Sequence, residues 1–105
     1  MNSIKIAYLL VAHKSPEQVN LFINQLLDYG DCDVYVHVDK KNPELYVKII
    51  DSPRVMKCSI YDVRWGSSEI VKAAFEIMRR AKEADKTYTH MYFGSGQDLL
   101  IKKGL

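Results

Sequence analysis

Residues 4–38 read IKIAYLLVAHKSPEQVNLFINQLLDYGDCDVYVHV, and this stretch decides the fold. Residues 4–12 are an apolar run broken only by Lys5, short and rich in β-formers, as in a strand buried on both faces. The run stops at His13-Lys14-Ser15-Pro16. Ser15 is placed to cap a helix, Pro16 suits the first helical position, and Gln18 completes a Ser-x-x-Gln capping box. Val19, Phe22, Ile23, Leu26 and Leu27 follow with the i, i+3, i+4, i+7, i+8 spacing of one buried helix face. Gly30 is the residue best able to end that helix in a left-handed turn. Residues 33–38 are a second strand, and a strand, helix and strand in succession form a βαβ unit with parallel strands.

Working outward, Asn42-Pro43-Glu44 repeats the cap-plus-proline signal and opens a shorter helix to about residue 50. Ser52-Pro53 breaks it, and residues 54–60 read as a short third strand. Trp65-Gly66-Ser67-Ser68-Glu69 leads into the longest helix, with Ile70, Ala73, Ala74, Ile77, Met78 and Ala81 on one face. Its other face carries Lys72, Glu76, Arg79, Arg80 and Glu83, the pattern of a solvated surface. Residues 88–93 form the last strand, which runs into Gly94-Ser95-Gly96-Gln97-Asp98. The order β-α-β-α-β-α-β predicts an α/β fold: an open, mainly parallel Rossmann-like sheet with helices on both faces, in one domain over residues 1–105.

Composition narrows the class. With 48% apolar residues, 105 positions are enough to bury one small core. A net charge of +2 is too small to argue for a nucleic-acid partner. No run approaches the roughly 18 apolar residues of a membrane helix, and the start lacks a signal-peptide layout. Cys32 and Cys58 are too few for a disulfide framework or a zinc cluster, and read as free thiols in a reducing compartment. These features predict a cytoplasmic chain with no transmembrane segment.

In open parallel sheets ligands bind beyond the carboxyl ends of the strands. There stand His13-Lys14, then Asp39-Lys40-Lys41, residues 62–66, and Ser95-Gly96-Gln97-Asp98. The polar and glycine-rich residues collect at these four places. No Gly-x-Gly-x-x-Gly follows the first strand, no phosphate loop ends in Gly-Lys-Ser/Thr, and His13-Lys14 stands where a phosphorelay receiver needs an acidic pair. Asp39 suits a nucleobase imide or a ribose hydroxyl, Lys40 or Lys41 a phosphate, and Trp65 a flat base or sugar. Each has a plainer reading. Asp39 also suits a turn, Lys40 and Lys41 a solvated surface, Trp65 packing at a helix start, and His37 a hydrogen-bonded core position. His90 reads as structural. A metal reading also exists: His13, Asp39 and Asp98 stand at neighbouring strand ends as mixed nitrogen and oxygen ligands, although no local spacing among them is that of a metal site.

With these residues aligned, the chain resembles the core-2/I-branching enzymes, glycosyltransferase family 14, which include β-1,6-N-acetylglucosaminyltransferases and peptide O-xylosyltransferases. The resemblance rests on Ile6-Ala7-Tyr8-Leu9-Leu10-Val11-Ala12-His13-Lys14 with Pro16-Glu17-Gln18, and on Val34-Tyr35-Val36-His37-Val38-Asp39-Lys40-Lys41. Val63-Arg64-Trp65-Gly66 and Ser95-Gly96-Gln97-Asp98 complete it, in the same order and spacing along essentially all of the chain. It implies the N-terminal nucleotide-binding half of a GT-A-type fold, and transfer of a sugar of the GlcNAc or xylose class from a UDP-sugar to an acceptor hydroxyl on a glycan. By position, Val11, Ala12 and His13 would border the uridine pocket, Asp39 would hold uracil or ribose beside Lys40, and Trp65 and Gly66 would line the donor cleft. Ser95, Gly96, Gln97 and Asp98 would stand where other GT-A enzymes carry an Asp-x-Asp metal motif. One carboxylate there fits a metal-independent family without cofactor, in which a cation offsets the diphosphate charge.

Family members are much longer, and their catalytic base lies in the part with no counterpart here. The resemblance therefore implies a truncated, donor-binding half, with no catalytic residue and no transfer activity of its own. It also implies polysaccharide assembly, cytoplasmic or peripheral to the inner face of the membrane. The alternative is a small α/β interaction module that forms a homodimer through an exposed sheet edge.

Overall fold

The computed structural model describes residues 5–28, 30–62, 68–84 and 88–95, with Ser68 and Ser95 described by backbone alone. Four strands, β1 (Ile6–Ala12), β2 (Cys32–Val38), β3 (Val55–Cys58) and β4 (His90–Ser95), alternate with the helices α1 (Pro16–Leu27), α2 (Pro43–Lys48) and α3 (Ser68–Glu83). The strands form one sheet in the order β3-β2-β1-β4. Every pairing is parallel: Ile6 faces Cys32 and His90 across its two neighbours, and Val34 faces Val55. The α/β expectation with parallel strands therefore stands.

Side chains alternate between the two sheet faces. Tyr8, Leu10, Ala12, Val34, Val36, Val38 and Val55 pack with Val19, Phe22, Ile23 and Leu26 of α1 and Leu45 of α2. On the opposite face Ala7, Leu9, Val11, Tyr35 and Cys58 meet Ala73, Ile77 and Ala81 of α3. Both central strands are covered on both sides, which is why they read as continuous apolar runs.

Local chemistry closes the connections. The Asn42 side chain accepts from the Leu45 N–H at 3.2 Å and caps α2, as its Asn-Pro signal predicts. Lys57 of β3 caps the other end, donating to the carbonyls of Tyr46 (3.1 Å) and Ile49 (3.2 Å). Arg54 gathers the turn between α1 and β2, donating to the carbonyls of Cys32 (3.0 Å), Leu27 (3.3 Å) and Gly30 (2.6 Å). Gly30 takes φ +130, a conformation that L side chains rarely adopt. On α3, Glu76 binds Arg79 at 2.6 Å and Arg80 at 2.7 Å, so the charged face is a ladder of ion pairs.

Several expectations are corrected. Ser15 makes no side-chain cap and lies in the left-handed region (φ 59, ψ 70), so the predicted capping box does not form. A side-chain cap needs extended backbone at the capping residue, which Ser15 does not have. β3 is shorter than residues 54–60: Arg54 sits in the turn before it, with its carbonyl still accepting from the Val34 N–H at 2.8 Å, and Ile60 donates its N–H to a side chain rather than to a strand. β4 starts and ends later than residues 88–93: Ser95 pairs in register with Val11 and belongs to the strand, not to the loop after it.

Candidate functional site

The sheet order places a switch point between β1 and β4. The chain steps from β1 to β2 to β3 in one direction, and the α3 crossover then returns it to the far side of β1. Ligands of open parallel sheets bind in the crevice outside the carboxyl ends at such a point. His13 and the backbone of Ser95 flank it, and Asp39 follows the neighbouring strand.

Val11 and Ala12 are buried in the sheet, so they bring backbone rather than side chains to this end. The Asp39 N–H donates to the Ala12 carbonyl at 2.8 Å, extending the β1–β2 ladder by one step. Asp39 is 5% exposed, and its Oδ1 accepts from the Lys41 N–H at 3.0 Å. Its Oδ2 lies 3.4 Å from the Lys41 ammonium, and its carbonyl accepts from the Asn42 N–H at 2.9 Å. Asp39 thus shapes the turn, and it does so at the ligand end of the sheet. Lys40 is exposed, and its N–H donates to the Tyr61 carbonyl at 3.0 Å, joining the β2 turn to the segment after β3. Asn42 donates from its side chain to the His13 carbonyl at 3.4 Å, so the turns after β1 and β2 are tied together.

Charge follows from this packing. Burial pushes the His13 imidazole below its ordinary value, with Lys14 and Lys41 adding to the effect and Asp39 opposing it. This packing favours the neutral form of the ring. The assembled groups are therefore a buried carboxylate, the Lys41 ammonium on it, the exposed Lys40 and a half-buried imidazole. That set suits hydroxyl and imide donors at Asp39 and an anion beside the lysines.

Of the residues expected from sequence, Val11, Ala12, His13, Asp39 and Lys40 come together. The Ser95 backbone reaches the same end of the sheet, in register with Val11. Trp65, Gly66, Gly96, Gln97 and Asp98 lie outside the described residues. Among the described residues no three His, Cys, Asp or Glu side chains form a metal-holding group, and no helix is long and apolar enough to cross a membrane. His90 stands at the opposite end of β4, exposed, its Nδ1 2.9 Å from the Thr89 hydroxyl.

Tyr61 carries a contribution that sequence reasoning missed. Its ring stacks on His37 with centroids 5.8 Å apart, while its backbone supports Lys40. The signal for it was His37 itself, a polar residue in an otherwise apolar strand end. No family model, no curated protein and no solved structure matches the chain.

Proposed function

We propose that the chain is the donor-binding half of a glycosyltransferase of the core-2/I-branching type, holding the nucleotide of a UDP-sugar beyond the carboxyl ends of β1 and β2. What carries the reading is the convergence of Val11, Ala12 and His13 with Asp39 and Lys40 beside the β1/β4 switch point. Asp39 receives the uracil imide or a ribose hydroxyl, and Lys40 lies toward the diphosphate. Catalysis and most of the acceptor site belong to a further part of such an enzyme, and no metal takes part.

The test is a UDP titration of the ¹⁵N-labelled chain followed by amide NMR, once with EDTA and once with manganese. Shifts at Val11, Ala12, His13, Asp39 and Lys40 that EDTA leaves unchanged support a metal-free nucleotide site. Shifts that require manganese overturn the metal-free part, and silence in both conditions overturns the nucleotide reading.

A second reading has its own observation. Among the described residues β4 lies at the edge of the sheet, and its Met91, Tyr92 and Phe93 are 38%, 40% and 54% exposed. An apolar edge with open backbone groups invites pairing with another strand. If this is the chain's role, sedimentation shows a dimer at micromolar concentration that UDP does not affect.

A further inference from the structure

His37 closes β2 on the α3 face, fully buried at 0% exposure, between Val11 of β1 and Cys58 of β3 in the sheet register. Its Nε2 receives two backbone donors, the N–H groups of Ile60 and Tyr61, both at 3.1 Å. A ring nitrogen that accepts hydrogen bonds carries no proton, so the proton of the neutral ring sits on Nδ1. Nδ1 is buried and has no hydrogen-bond partner. One imidazole thus holds the Ile60 and Tyr61 N–H groups, and it holds them only while its Nε2 is bare.

We propose that His37 is a proton-operated latch on the segment leaving β3. A proton added at Nε2 turns the acceptor into a donor facing two other donors, and both bonds to Ile60 and Tyr61 break. The charged ring then has two N–H groups to satisfy in a buried site, so it is stable only with the segment displaced and water admitted. Because the Tyr61 carbonyl accepts from the Lys40 N–H at 3.0 Å, opening also frees the Lys40 N–H next to Asp39. The candidate ligand site is thereby coupled to pH through its wall. The proposal does not rest on the nucleotide reading, since a latch of this kind works whatever the site binds.

The surroundings set the direction. Burial lowers the proton affinity of the closed ring below the ordinary value of 6.5, and Arg80 of α3 adds to this. Asp39 on the β2 turn, the ring's own backbone carbonyl and Glu76 of α3 pull the other way. The β1 and β3 neighbours, Val11 and Cys58, bring no charge, since burial holds the Cys58 thiol protonated. A histidine whose proton affinity is depressed when closed favours the closed state above the open-state value. That preference is lost as the pH falls below it, by about tenfold in the opening equilibrium per pH unit.

The experiment is amide hydrogen exchange by NMR between pH 7.5 and 5, corrected for intrinsic exchange, on the unmodified chain and on His37→Gln. Gln accepts hydrogen bonds but does not titrate. In the unmodified chain the opening of Ile60, Tyr61 and Lys40 rises by about tenfold per pH unit below roughly 6.5, and in His37→Gln it stays flat. The same slope in both chains, or no slope in the unmodified one, overturns the latch. If His37→Gln does not fold, ring ¹⁵N shifts of the unmodified chain decide. A bare Nε2 at pH 7.5 that titrates together with the Ile60 and Tyr61 amides supports the latch. A proton on Nε2 at pH 7.5, or a titration that leaves those amides unmoved, overturns it. His13, whose proton affinity is also lowered, is followed by its own ring signals.

Discussion

The Tyr88 hydroxyl donates to the Asp33 carboxylate at 2.7 Å, tying the segment that enters β4 to β2, two strands away across β1. Tyr88 gives its one hydroxyl proton to Asp33, so the Tyr35 hydroxyl, 2.8 Å away, donates to Tyr88 in turn. Asp33 and Tyr35 are 4% and 2% exposed. Burial, with these two partners, raises the Tyr88 phenol far above its usual value, so it remains a donor at any ordinary pH.

Tyr88→Phe removes this hydroxyl while leaving a ring to pack edge-on against Tyr35, at the present centroid distance of 6.1 Å. It takes one donor from a buried carboxylate and leaves Tyr35 without its acceptor. The expected loss is about 1–3 kcal/mol in urea unfolding. An unchanged midpoint would mean that the chain of hydroxyls contributes nothing to docking β4.

Ser15 separates the two readings of the first helix start. A working Ser cap would make its replacement by Gly slightly harmful, by a few tenths of a kcal/mol. Here Ser15 has φ 59 and no side-chain cap bond, and a left-handed backbone costs an L residue about 1–2 kcal/mol that glycine does not incur. Ser15→Gly is therefore expected to stabilise the chain by up to about 1 kcal/mol, read as a higher unfolding temperature.

Asp39→Asn tests the site without dismantling the turn. Asn retains an oxygen to accept the Lys41 N–H, now 3.0 Å from Oδ1, but loses the charge and sets an NH2 where Oδ2 now faces the Lys41 ammonium. Thermal stability should change by less than about 1 kcal/mol, since the lost pair with Lys41 is partly exposed. UDP affinity should fall about tenfold, the equivalent of roughly 1.4 kcal/mol. Equal UDP affinity in both chains would leave Asp39 with the turn alone.

The two thiols should be inert. Cys32 and Cys58 are both buried, and burial raises both above the ordinary thiol value, although Arg54 opposes this at Cys32 and Arg80 at Cys58. Raised values leave little thiolate at pH 7.5, and the thiolate is the reactive form. Iodoacetamide should label neither cysteine in the folded chain and both in urea, followed by intact mass. Fast labelling of the folded chain would place a thiol at the surface.

What the sequence by itself determined is whatever depends on neighbours along the chain. The helical period of Val19, Phe22, Ile23 and Leu26, the Asn42-Pro43 cap and the apolar runs of β1 and β2 became the elements they predict, because propensity and patterning are local, whereas α1 ends at Leu27 with Asp28 as a right-handed cap, before Gly30 is reached. The polar strand ends His13 and Asp39 were visible for the same reason. Contacts between distant residues were decided only by tertiary structure. The order β3-β2-β1-β4 depends on which way α3 crosses the sheet, and no local pattern encodes that. Pairing with Val11 draws Ser95 into β4, and the Arg54 guanidinium reaches from the turn before β3 to the carbonyls around the turn before β2. His37 could be read as a core histidine from its place in a buried strand. That its Nε2 would meet two backbone N–H groups from beyond β3, with nothing at Nδ1, follows from packing alone, because a hydrogen bond is set by where atoms meet in space and not by their distance along the chain.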